Sequence, residues 1–168
     1  MSLTLAYDPP REPAAPAADE GEALYALADA GAAAEIRLDG YRLPLDGTGL
    51  AELHRQVGRL LCVLRSGEPE PGDDDLRAEL PGVAAGAVLH SWLFASYMLE
   101  LPVLVFAIDG PVTAVFTRTR AESPGLPLVA LEGRDLAEPV EVATDALAAE
   151  TEDFLARVGA DAARLVAR

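Results

Sequence analysis

Few side chains in this 168-residue chain can react or coordinate: Cys62, the histidines His54 and His90, and the triple aspartate at 73–75. Cys62 sits in "HRQVGRLLCVLR", with Arg59 three residues before it and Arg65 three after. Flanking guanidiniums favour a thiolate, so this arrangement is a candidate nucleophile. A Cys–His pair, however, needs a base within reach. His54 lies about 80° away on the same helical wheel, and the chain contains no asparagine to orient either imidazole. Cys–His catalysis therefore lacks support. Ser91, in "HSW", and Ser123, ahead of Pro-Gly, both lack the Gly-x-Ser-x-Gly turn of a hydrolase nucleophile. The absence of lysine excludes Schiff bases, P-loop lysines and lysine general bases. A single cysteine excludes an internal disulfide and any cysteine-based zinc cluster.

The aspartates at 73–75 offer oxygen ligands for Mg²⁺ or Ca²⁺, but the ligand spacing and glycine of a calcium loop are missing. No glycine-rich fingerprint follows a strand and no repeat recurs, so the expectation is no metal and no cofactor. One alternative stays open. His90, Trp92 and Tyr97 lie in the apolar run "LHSWLFASYML" and could line a pocket for a small molecule or an unconventional reaction. A hydrogen-bonded core histidine explains the same residues.

The strongest signal is charge. The formal net charge is −15, and "GEPEPGDDDLRAEL" sets six carboxylates against one arginine. Residues 132–153 are again acidic, with Arg134 the one cation, whereas Arg37, Arg42, Arg55, Arg59 and Arg65 gather in the first half. Such a balance opposes binding to nucleic acid or to anionic membrane surfaces, both of which need clustered cations. If the loop and the last helix fold to one side, Glu68, Glu70, Asp73, Asp74, Asp75, Asp145, Glu152 and Asp153 form a face that steers a basic protein. The plainer reading is a solvated surface. All thirteen basic residues are arginine, which points to a GC-rich genome whose codon bias itself favours Asp and Glu.

These groups need a scaffold, and the pattern supplies an α+β domain: an antiparallel β-sheet built from hairpins, with two to three helices packed on it. Residues 1–21 read as an acidic Pro/Ala-rich mobile arm, with Leu3, Leu5 and Tyr7 able to form a short edge strand. Residues 22–168 then make the domain. A helix over 22–31 is followed by "AEIRLDGYRLPLD", a hairpin with Asp39-Gly40 at its turn. Its register sets Leu38 opposite Tyr41 and Ile36 opposite Leu43. An amphipathic helix spans 49–65, carrying Leu50, Leu53, Val57, Leu60, Leu61 and Leu64 on one stripe. Residues 81–101 fit helix or strand equally. A second Asp-Gly hairpin turns at 109–110, with strands apolar on both faces and hence central. "LPLVALEG" and "PVEVAT" add short strands. A last helix from Thr144 or Asp145 is one that Gly159 could kink or split. No signal peptide and no membrane-spanning run is recognisable, so a soluble cytoplasmic protein is expected.

His90, Ser91, Tyr97, Pro102, Asp153, Phe154 and Leu155, in that order through the second half, resemble a family of small uncharacterised actinobacterial proteins of accessory or immunity type. Phe106, Phe116 and Leu128 stand where that pattern carries tryptophan. The resemblance implies an accessory or immunity role and supplies no site residues. Together these features describe a non-enzymatic acidic module that docks a basic protein.

Overall fold

The computed structural model describes residues 2–39, 41–45, 49–80, 82–92, 104–117 and 138–166, without the side chains of Tyr41, Asp74 and Glu79. Two antiparallel sheets and three helices make an α+β fold. The first sheet runs β1 (Leu3–Asp8), β2 (Ala33–Leu38), β3 (Tyr41–Leu45). The second runs β4 (Val88–Trp92), β5 (Leu104–Asp109), β6 (Val112–Thr117), β7 (Val140–Ala143). Helices α1 (Glu20–Asp29), α2 (Gly49–Ser66) and α3 (Thr144–Val166) touch one another; α2 reaches both sheets through β2, β3 and β4, and α3 does so through β1 and β7. One apolar core therefore joins Leu5 and Ile36 to Leu53, Phe106 and Phe154.

The first hairpin has the register its sequence dictates: Leu38 opposes Tyr41 and Ile36 opposes Leu43. Asp39 takes a φ of 39°, in the positive range that a tight two-residue turn requires. Ile36, Leu38, Leu43 and Leu45 are buried. On the wet face Glu35 accepts hydrogen bonds from both Arg37 and Arg42, which lower its pKa to about 2.

The second hairpin departs from expectation by one residue. Asp109 pairs with Val112, so the turn is Gly110-Pro111 rather than Asp109-Gly110. Proline explains the shift. Its fixed negative φ suits the second corner of a turn whose first corner is a glycine at positive φ, here 56°. Leu104, Val105, Phe106 and Ala107 are all buried, as a central strand covered on both faces requires.

Within the N-terminal 21 residues, β1 occupies the edge of the first sheet and α1 already begins at Glu20. Between them, the N–H groups of Arg11 and Glu12 donate to the Ala30 carbonyl, and that of Ala17 donates to Leu165 O. α1 starts on a reciprocal cap: Asp19 Oδ1 accepts from Glu22 N, while Glu22 Oε2 accepts from Ala18 N. The leucine stripe of α2 is buried apart from half-buried Leu64, and Gly67, at φ 70°, closes the helix with its N–H on Val63 O. Its expected starting caps, Asp46 and Thr48, fall outside the described residues. α3 runs unbroken through Gly159.

Of the ambiguous stretch 81–101, Val88–Trp92 is strand and the remainder from 93 lies outside the described residues, as does "LPLVALEG". Neighbouring elements cover one edge of each sheet. The Leu5 N–H donates to Glu150 Oε1 at 2.6 Å, and Arg157 donates to Leu5 O at 2.9 Å, so α3 satisfies the outward backbone groups of Leu5 on β1. A 3-10 segment, Asp73–Glu79, lies against β4 at the edge of the second sheet.

Candidate functional site

The acidic loop is pinned to the fold at that second edge. Glycine at 72, with φ 90°, reverses the chain. The 3-10 segment then delivers Leu76 and Leu80 onto a separate apolar cluster with Leu89, Val105, Ala107 and Phe116. Arg77 fixes the connection onward by donating to the carbonyls of Ala84 and Ala87, at 3.0 and 2.6 Å. Burying that apolar surface carries Asp73, the first residue of the segment, inward: it is only 8% exposed.

Asp73 meets two neighbours from β4. Its Oδ1 accepts the Ser91 hydroxyl at 2.6 Å, and its Oδ2 stands 3.2 Å from His90 Nδ1. That second approach is poorly aligned, so neither Oδ2 nor either imidazole nitrogen completes a hydrogen bond. Burial works to raise the Asp73 pKa, but His90 and Ser91 outweigh it and hold the carboxyl below its usual range. Glu70 joins from the loop, with Oε2 3.9 Å from the same His90 nitrogen. Its carboxylate is oriented from outside by Arg59 of α2, whose Nε donates at 2.8 Å and whose second nitrogen holds the other oxygen. His90 is wholly buried and its ring lies 6.2 Å from that of Phe106, on which Trp92 also packs, 4.8 Å away and edge-on. Three donor groups from loop, 3-10 segment and strand thus converge on one point.

Of the residues singled out for a pocket, His90 and Trp92 share the Phe106 ring inside the core, and Tyr97 lies outside the described residues. Of those assigned to an anionic face, Glu68, Asp75 and Asp145 are exposed. Glu152 pairs with Arg65 at 2.6 Å and Asp153 with Arg157 at 2.7 Å, both on the surface. Glu70 and Asp73 belong to the cluster just described, and the Asp74 side chain is not described. The guanidiniums of Arg59 and Arg65, expected beside Cys62, are engaged with Glu70 and Glu152, while Cys62 itself is exposed. His54 sits elsewhere, 3.8 Å from Glu20; burial lowers its pKa, partly offset by that carboxylate.

A further acidic feature was not anticipated. An open groove of about 430 Å³ runs between residues 12–17 and α1, walled by Glu12, Pro13, Ala17, Glu22, Tyr25 and Asp29. Among the described residues its lining includes three carboxylates, one exposed phenol ring and no cation. The sequence signal was available in the shared acidity of both segments, but their adjacency depends on the Ala30 carbonyl contacts.

Comparison with family models, with curated proteins and with solved structures finds no match to this chain.

Proposed function

We propose that this protein is a non-enzymatic binding module that docks a basic protein through an anionic surface, in an accessory or immunity-type role. One observation carries the reading: among the described residues, the fold engages most of its own cations and leaves anions over. Arg37, Arg42, Arg55, Arg59, Arg65, Arg157 and Arg164 each pair with a carboxylate of the same chain. Arg77 is committed to main-chain carbonyls. Glu68, Asp75, Glu138, Glu141 and Asp145 meanwhile stay exposed.

Over these residues a partner approaching from solvent meets carboxylates whose neighbouring guanidiniums are already engaged. Exposed pairs such as Arg65–Glu152 are individually worth only about 0–1 kcal/mol. An arginine of the partner can displace Arg65 and take Glu152 at little cost. The field of such a surface acts mainly on the encounter rate and fades over a Debye length of about 10 Å at 0.1 M salt.

The test begins by capturing proteins from the native host at low salt, then purifying the captured basic protein and reconstituting the pair. A 1:1 complex whose association rate falls at least tenfold between 50 and 300 mM NaCl supports the reading. A complex insensitive to salt removes the anionic surface from the account.

A further inference from the structure

We infer that Glu70, Asp73 and His90 form a binding site for one divalent first-row transition ion, with zinc the simplest occupant. The inference stands apart from the docking reading, since none of it depends on the outer surface.

The first argument is distance. One donor atom from each residue lies within 4.8 Å of the other two. Nδ1 of His90 is 3.2 Å from Asp73 Oδ2 and 3.9 Å from Glu70 Oε2. A tetrahedral ion with bonds of about 2.0–2.2 Å needs ligand atoms roughly 3.3–3.6 Å apart. The cluster brackets that spacing and needs shifts of only a few tenths of an ångström to match it on two edges.

The second argument is unmet demand. Asp73 Oδ2 and both imidazole nitrogens are buried without a hydrogen-bond partner. Buried polar groups left in that state are uncommon and costly, whereas an ion at the focus would satisfy Oδ2 and Nδ1 together. A three-residue carboxylate–imidazole set of this kind is not an acidic patch facing water, since His90 and Asp73 are both buried.

The third argument is orientation by outer partners. Ser91 Oγ occupies Asp73 Oδ1 and leaves Oδ2 for the ion. Arg59 holds both oxygens of Glu70, Oε2 included, and an ionised carboxylate keeps lone pairs beyond those a guanidinium uses. Metal-binding carboxylates are steadied by outer partners of this kind. The donor set also selects the ion. An imidazole nitrogen with two carboxylates suits zinc, iron(II), manganese or cobalt better than the all-oxygen preference of calcium and magnesium. Two carboxylates balance the charge of a dication, and three protein ligands leave a fourth position on the side of Glu70, the most exposed of the three.

The experiment is calorimetric titration of the chelator-treated full chain with Zn²⁺ and, separately, with Ca²⁺. Co²⁺ then serves as a spectroscopic probe of tetrahedral N/O coordination. The expected result is one zinc per chain, at least hundredfold tighter than calcium, with a visible Co²⁺ band. Glu70→Gln, whose side chain is at the rim, should weaken zinc at least tenfold while circular dichroism stays native. Asp73→Asn and His90→Gln should abolish the stoichiometric site, and Cys62→Ser should leave it intact. Equal affinity for calcium, substoichiometric zinc, or full binding retained by Glu70→Gln together with Asp73→Asn overturns the assignment.

Discussion

Removing the Ser91 hydroxyl and the Asp73 carboxylate, singly and together, tests how the acidic loop is tied to the sheet. The two groups meet at 2.6 Å, with Asp73 ionised and largely buried and Ser91 half-buried. A hydrogen bond to a charged group contributes about 1.5–3 kcal/mol, and partial exposure places this one near the lower bound. Ser91→Ala should therefore cost about 1.5 kcal/mol by losing that bond. Asp73→Ala should cost about 3 kcal/mol, because it also leaves the Ser91 hydroxyl without its acceptor. Once Asp73 is gone, Ser91 has no bond left to lose, and the double variant also removes the stranded hydroxyl, so it should cost no more than about 3 kcal/mol, a coupling of at least about 1.5. Urea unfolding in the presence of a chelator measures all four proteins without interference from ions. Losses that add within about 0.5 kcal/mol would refute the pairing and, with it, the account of why the 3-10 segment lies on β4.

Three further outcomes follow from the packing. His54 has a lowered pKa in the fold because it is partly buried; the unfolded chain therefore binds the proton first, and stability falls as pH drops through about 6.5. His54→Gln should flatten that part of the curve of unfolding midpoint against pH between 7.5 and 5.5, and an unchanged slope contradicts the assignment. Gly67 ends α2 at a φ of 70° with open space around it, so Gly67→Ala should cost about 1 kcal/mol through backbone strain alone, read from the shift in urea midpoint. Phe106 is fully buried under both Trp92 and His90; Phe106→Ala should lose about 3–5 kcal/mol and abolish the near-ultraviolet dichroism of Trp92, while a loss below 1 kcal/mol would place the core elsewhere.

How much of this was legible in the sequence depends on whether local chemistry settled each feature. Asp39-Gly40 between alternating apolar residues determined strand, turn and register together, because turn type and side-chain period gave the same answer. At 109–110 the same dipeptide misled, since Pro111 fits the second turn corner and pulls the hairpin one residue along. The stripe on α2 was plain, yet 81–101 was not: a buried strand and a buried helix share an apolar composition. The cluster at His90 was hardest. A run of three aspartates ordinarily faces water, and nothing local says that Leu76 and Leu80 will draw Asp73 inward onto a strand seventeen residues further on. One hint existed, a histidine inside an apolar run that needed a polar partner, with the closest surplus of carboxylates just upstream. The pairing of Arg59 with Glu70 and of Arg65 with Glu152 depended equally on tertiary contact and could not be read from helix spacing.

The account is tested most directly by charge reversal on exposed anions of the two acidic segments. Glu68, Asp75 and Asp145 are changed to arginine together, and the dissociation constant with the reconstituted basic partner is measured at 100 mM salt. Weakening by well over tenfold, with native circular dichroism retained, is the predicted result. An affinity within a factor of two of the parent would contradict the claim that this protein works through its surplus of surface carboxylates.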